Sequence, residues 1–271
     1  MPAIQPARLK LQAAELAASF PQPGVFVRGL DDLCEFYANR TYRPGVSGES
    51  RPSLLKAYNV PAPVLREVQH ALIPSVSADP QAALALCQAL WEEPILEHRL
   101  LAAGVLGELP PADSAAQVEL LRSWIESIPE EQVLTAVLQQ GTRQLRQHQP
   151  ERLLALAEGW LNRTQVLWLQ AGLRLLETLA GEPGFENLPA IYTRITSLAR
   201  TLPAPARSHM VALLRALLRR APSEAAFFLR DNLKAPNNPD TPWLIRQLLD
   251  EFPQEIQNSL RQSLREQRLK F

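Results

Sequence analysis

The chain is short of the residues from which most catalytic and metal sites are built. In 271 positions it holds 11 glycines, four histidines and two cysteines. No glycine-rich phosphate loop, no helical His-x-x-x-His pair and no close Cys/His cluster occurs. His70, His98, His148 and His209 are scattered along the chain, so neither a metal nor a cofactor is expected. No strained nucleophile turn is visible. Cys34 and Cys87 lie on apolar stretches and read as small buried hydrophobes in a reducing cytoplasm. No run reaches the roughly 18 apolar residues of a membrane span, and Met1-Pro2-Ala3-Ile4-Gln5-Pro6 lacks a signal-peptide core. A cytoplasmic chain with no membrane partner is expected. The formal net charge is zero, which by itself argues against a nucleic-acid partner.

What is present is helix, punctuated by proline. Pro80, Pro94, Pro111, Pro129, Pro150, Pro183, Pro205, Pro222, Pro242 and Pro253 stand where amphipathic segments begin. Proline suits the first helical turn, where its missing N–H would be unpaired anyway. The spacing predicts helices over 7–20, 28–42, 63–73, 79–92, 95–108, 112–127, 130–147, 150–162, 165–180, 185–200, 205–220, 222–234, 241–250 and 253–268. Residues 41–53 read as a loop, 53–58 as a second short stretch, and 234–240 as a Pro/Asn-rich segment able to act as a hinge. Taken in pairs, the helices repeat every ~31–39 residues, close to the helical-hairpin repeats. The expected fold is all-α, a right-handed α-solenoid of stacked HEAT-like hairpins in one domain, 1–271, with an irregular cap over 1–60 and regular repeats over 61–271.

Charge is unevenly distributed. Residues 88–131 carry nine acids against Arg99 and Arg122, a balance of −7. Residues 187–230 carry Arg194, Arg200, Arg207, Arg215, Arg219, Arg220 and Arg230 against Glu224, a balance of +6. Such a block can face phosphates while the whole chain stays neutral. The ratio of 24 arginines to four lysines suits bidentate phosphate contact, or follows from a GC-rich genome. Within 205–220, helical spacing gathers Met210, Leu213, Leu214, Leu217 and Leu218 on one face and leaves Arg215 and Arg219 a turn apart on another.

Several segments together resemble the HEAT-repeat DNA glycosylases of alkylation repair, the AlkD type. They are Tyr58-Asn59-Val60-Pro61 with Leu65-Arg66, Leu90-Trp91-Glu92-Glu93-Pro94 with Glu97, Trp160-Leu161-Asn162-Arg163-Thr164, and Ala212-Leu213-Leu214-Arg215 followed by Pro222 and Phe227-Phe228-Leu229. Asn59 replaces a glycine of the family's pattern. The likeness covers roughly residues 30–250 and implies a duplex DNA partner, damaged or intact, on a monomer.

In that family an aromatic residue, an Asp one turn later, an Arg and a second Trp surround the damaged nucleotide. By resemblance Trp124 takes the first place and Arg163 the third, while Ile128 and Ala212 occupy the Asp and second Trp places. Cleaving a glycosidic bond builds an oxocarbenium-like sugar that needs a nearby anion. Glu126 and Glu130 are the candidate substitutes, although Glu126 lies about 200° around a helix from the required position. The DNA-contacting set implied is Arg163, Arg215, Arg219, Trp124 and Trp160. Trp124 and Trp160 have an equal claim to be core or groove-wall aromatics, and Arg163 to be a helix-end ligand. Three readings stay open: a DNA-backbone binder with glycosylase activity weak or lost, an active glycosylase with a displaced carboxylate, and a protein-binding HEAT scaffold.

Overall fold

Proline decides where most helices begin. The computed structural model describes residues 4–39, 55–128 and 130–268. Its helices are α1 (Pro6–Ala17), α2 (Pro23–Tyr37), α3 (Ala62–Ala78), α4 (Pro80–Glu92), α5 (Leu96–Leu106), α6 (Ser114–Ser127), α7 (Glu131–Gln139) and α8 (Arg143–His148). They continue as α9 (Pro150–Leu161), α10 (Val166–Ala180), α11 (Leu188–Arg200), α12 (Arg207–Arg220), α13 (Pro222–Lys234), α14 (Thr241–Leu248) and α15 (Gln254–Arg268). Proline occupies the first turn of α1, α2, α3, α4, α9, α11, α13 and α14. The chain is all-α: among the described residues there is no strand, only one bridge between Lys56 and Ile95. The expected 41–53 loop and the start at Pro129 lie outside the described residues.

Several expected boundaries move: α1 ends at Ala17 instead of 20, α2 runs Pro23–Tyr37 instead of 28–42, and two further changes each have a local reason. α3 runs on through Pro74 to Ala78, although an interior proline costs about 3 kcal/mol. Full burial of Val76 beyond it offsets much of that, at roughly 1.5–3 kcal/mol. The single helix expected over 130–147 breaks into α7 and α8 at Gly141. A Cβ on Gly107, just past α5, would sit 1.9 Å from the Gln140 carbonyl oxygen, so two backbones meet there. The buried Gln117 amide donates to Leu106 O at 2.8 Å and to Gly141 O at 2.9 Å. Arg146 donates to Gln139 O at 2.6 Å, so the carbonyls freed by the break have partners.

The chain divides into two compact units, Met1–His148 and Gln149–Phe271. In the first, α1, α3, α5 and α7 pack side by side in one row and α2 packs against α4 in another. In the second, α10, α12 and α14 form one row and α9, α11, α13 and α15 the other. Polar side chains tie elements about one hairpin apart. Gln69 reaches Gly104 O and Glu108, 35 and 39 residues on, and Trp91 Nε1 donates to Ser127 Oγ, 36 residues on. In the second unit Gln170 donates to Pro205 O, Arg200 to Asn232, Arg207 to Asp240 and Arg215 to Glu251, spans of 35, 32, 33 and 36 residues. These spans fall within the spacing read from the sequence.

The 235–240 segment is a pinned connector rather than a hinge. Asn237 takes the left-handed φ of 53° that asparagine tolerates. Asn238 donates to Asn232 O at 2.9 Å, Asp240 accepts from Leu202 N at 2.8 Å, and Thr241 donates to Ala199 O at 2.9 Å. Cys34 and Cys87 are buried and free, and burial pushes both thiols up, away from the reactive thiolate. Among the described residues no helix is long and apolar enough to cross a membrane.

Candidate nucleic-acid interface

A short extended segment ahead of α3 organises the first unit's open face. Lys56 N donates to Pro94 O at 3.1 Å and Leu96 N donates to Lys56 O at 2.9 Å, strapping the segment across the start of α5. The Glu97 carboxylate then accepts from Tyr58 N at 3.1 Å, Asn59 N at 2.7 Å and Val60 N at 3.4 Å. Asn59 has φ 55°, the left-handed region that favours glycine and admits asparagine. The family's glycine is therefore replaced here by the residue that best tolerates its backbone. Tyr58 Oη donates to Asp31 at 2.8 Å, and the Lys56 ammonium lies 4.7 Å over the Tyr58 ring. His98 is fully buried behind them, its Nε2 3.3 Å from Asp31, and burial holds its pKa below the usual value.

Beside this segment α3, α5 and α7 enclose an open cleft of about 970 Å³. Leu65, Ile73 and Leu100 give it half-buried aliphatic walls, and α7 presents Gln132, Thr135 and Gln139. Two carboxylates border it, and both are committed. Glu97 is buried and accepts from three backbone N–H groups. Glu108, 8% exposed, accepts from Arg143 and from Gln69 at 3.1 Å. Among the described residues, no Trp, Tyr or Phe lines this cleft.

The expected site residues are not gathered there. Trp124 is 3% exposed, stacked on Trp91 with ring centroids 4.1 Å apart and planes 4° apart. It is buried here, with Trp91 against one face of the indole. Trp160, 2% exposed, packs 5.7 Å from Trp168 and is likewise buried. Glu126 is exposed on α6. Ile128 follows the end of α6 and is not part of the cleft lining, so counting one turn from Trp124 leads away from the cleft. Glu130 accepts from Leu55 N at 2.9 Å and faces Arg99, whose guanidinium lies 5.1 Å over Trp91 and is held below its usual pKa by burial.

In the second unit Arg163 is exposed, its guanidinium 4.1 Å over Trp168. Arg215 forks onto Glu251 at 2.7 and 2.8 Å, which raises its pKa, and Arg219 is exposed one turn on. Ala212 is half-buried on α12. Burial pushes Glu177 on α10 upward, against the opposing pull of Arg174, Arg219 and Arg215. Much of the basic block acts as internal ties: Arg194 meets Glu158 at 3.1 Å, Arg230 donates to Ser259 at 3.1 Å, and Arg220 donates to Ala180 O and Glu182 O. Net charge over a window thus overstated the free positive surface.

Sequence reasoning missed α7 as the cleft wall and Glu97 as the clamp. The spacing of Gln132, Thr135 and Gln139 was a visible stripe, but a polar stripe reads equally well as a solvated helix face. Among the described residues no group of three His, Cys, Asp or Glu is placed to hold a metal ion. Residues 53–232 match the family model described as DNA alkylation repair enzyme. No curated protein and no solved structure matches the chain.

Proposed function

Because the chain belongs to the DNA alkylation repair enzyme family, with the match spanning well over half its length, we propose that it binds the backbone of duplex DNA, with glycosylase activity weak or lost. The family match is the observation that carries the DNA partner. In this reading the helix pairs of each unit are HEAT-like repeats of one right-handed solenoid domain, supported by ties that recur one hairpin apart. Arg163, Arg215 and Arg219 contact phosphates, with Arg215 exchanging Glu251 for an incoming oxygen. Arg163 and Arg219 are already exposed. The protein works as a cytoplasmic monomer.

The loss of catalysis rests on the state of the carboxylates. An oxocarbenium-like sugar is stabilised by an anion whose lone pairs face it. Glu97 and Glu108 border the cleft buried, each already accepting hydrogen bonds from the protein. One observation favours the protein-scaffold alternative: most of the basic block is occupied in ties between helices. Fluorescence polarisation with duplex DNA, with and without an abasic-site analogue, separates the readings. Binding that weakens with salt and with Arg163→Ala/Arg219→Ala supports the DNA reading. Absence of binding to both duplexes would leave the scaffold.

A further inference from the structure

Resting on the DNA reading, we propose that the cleft between α3, α5 and α7 receives a single uncharged, unpaired nucleobase and discriminates against a cationic alkylated one. The argument begins with charge. Arg143 is paired with Glu108, and the buried Glu97 carboxylate is turned toward backbone donors. Counted over the lining, Arg66 and Arg143 balance Glu97 and Glu108, so the cleft as a whole carries no net charge to draw in a free cation. A cationic base is held best by an aromatic face or an open carboxylate. Among the described residues the lining has no Trp, Tyr or Phe, and both carboxylates are buried and already hydrogen-bonded.

A neutral base has two apolar faces and an edge of mixed donors and acceptors. The cleft is complementary to both features. Leu65 and Ile73 from α3 and Leu100 from α5 supply half-buried aliphatic surface. From α7, Gln132 and Gln139 present side-chain amides on the same helix face, both exposed. A primary amide carries a donor and an acceptor side by side, the arrangement that pairs with the adenine edge. At about 970 Å³ the space is at the upper end for small-ligand pockets, so a base enters without rearranging the helices. Arg66, exposed at the edge of the cleft, is placed to meet the phosphate attached to such a base.

The experiment compares three duplexes of one sequence, fully paired, carrying a single bulged adenine, and carrying an abasic-site analogue opposite the same gap. A fourth arm places N7-methylguanine at the bulge. The wild-type chain should prefer the bulged adenine over the abasic analogue by about tenfold, in the range of one amide–base pair. The methylated cationic base should gain no such preference. Gln132→Ala/Gln139→Ala should abolish the preference while leaving affinity for the paired duplex unchanged, and both side chains are exposed, so the variant folds. Arg163→Ala/Arg219→Ala should weaken all arms alike. Equal affinity for bulged adenine and the abasic analogue, or a preference that survives the glutamine substitutions, overturns the base site while sparing the DNA reading. No binding to any arm defeats both.

Discussion

Replacing Glu97 tests the organisation of the first unit most directly. Its carboxylate is 3% exposed and accepts from Tyr58 N, Asn59 N and Val60 N at 3.1, 2.7 and 3.4 Å. Two of these are good bonds and the third is long. Hydrogen bonds to a charged acceptor contribute about 1.5–3 kcal/mol each, so Glu97→Ala should cost about 3–5 kcal/mol. Glu97→Gln keeps one acceptor and turns the other oxygen into a donor facing a backbone N–H, for a cost of about 2–3 kcal/mol. With a urea dependence near 2 kcal/mol/M, the Gln variant's midpoint should fall by about 1 M. Because the chain has two compact units, the readout must be local. Amide exchange at Tyr58 and Asn59 should accelerate in both variants, while amides in α10 and α12 keep their protection. Asn59 and Val60 border the cleft, so any base preference should fall with the clamp. Wild-type exchange at Tyr58 and Asn59 in Glu97→Gln would refute the clamp.

Further expectations concern acid stability, packing, salt and catalysis. Burial lowers the folded pKa of buried His98 below the unfolded value near 6.5, against Asp31, Glu93 and Glu97 pulling it up and Lys56 pulling down. The unfolded chain then takes the proton more readily, so this contribution is full above about pH 6.5 and is lost as pH falls through the folded pKa. Chemical denaturation between pH 7 and 5 should show a shallower loss for His98→Gln than for wild type. Gly107→Ala forces a Cβ onto the Gln140 carbonyl oxygen, and thermal unfolding should reveal a cost of about 3 kcal/mol or more, above ordinary overpacking. Three phosphate contacts from Arg163, Arg215 and Arg219 predict a log–log salt slope of about −2.7, or roughly 40-fold weaker binding between 50 and 200 mM salt. A slope near zero would remove these arginines from the interface. Release of methylated purines from alkylated duplex should be slight and unchanged by Glu126→Gln or Glu130→Gln. Strong release abolished by either substitution would locate a displaced acid.

How much of this was legible follows from the kind of signal each feature leaves. Helices announce themselves twice, by apolar periodicity and by proline in the first turn, and α4, α9, α12 and α13 match expectation to within a residue or two. The break at Gly141 left only a weak mark, because its cause is the approach of Gly107 from another helix. Continuation through Pro74 was hidden for the same reason: the interior-proline penalty is local, whereas the burial of Val76 that opposes it is tertiary. The Pro/Asn-rich 235–240 segment has hinge-like composition, yet Asn238 and Asp240 spend their polar groups on the neighbouring helices.

The site was harder because a family's motif and its chemistry separate once one residue changes role. Tyr58-Asn59-Val60 and Glu97 belonged to two distinct fragments of resemblance, and the fold joins them as loop and clamp. Nothing in a linear sequence says that a glutamate 38 positions after Asn59 will accept its N–H. Trp124 shows the opposite relation between motif and packing. An indole four residues before an expected carboxylate looks functional, but Trp91, itself within a recognised fragment, covers its face. Position counting from a buried aromatic then lands on Ile128, past the end of α6, while the cleft is walled by α7. The chemistry available to this chain therefore follows from which polar groups packing leaves unspent. At the cleft the two carboxylates, Glu97 and Glu108, are buried and hydrogen-bonded while α7 presents its amides, an arrangement suited to holding a neutral group and poorly suited to stabilising a developing cation.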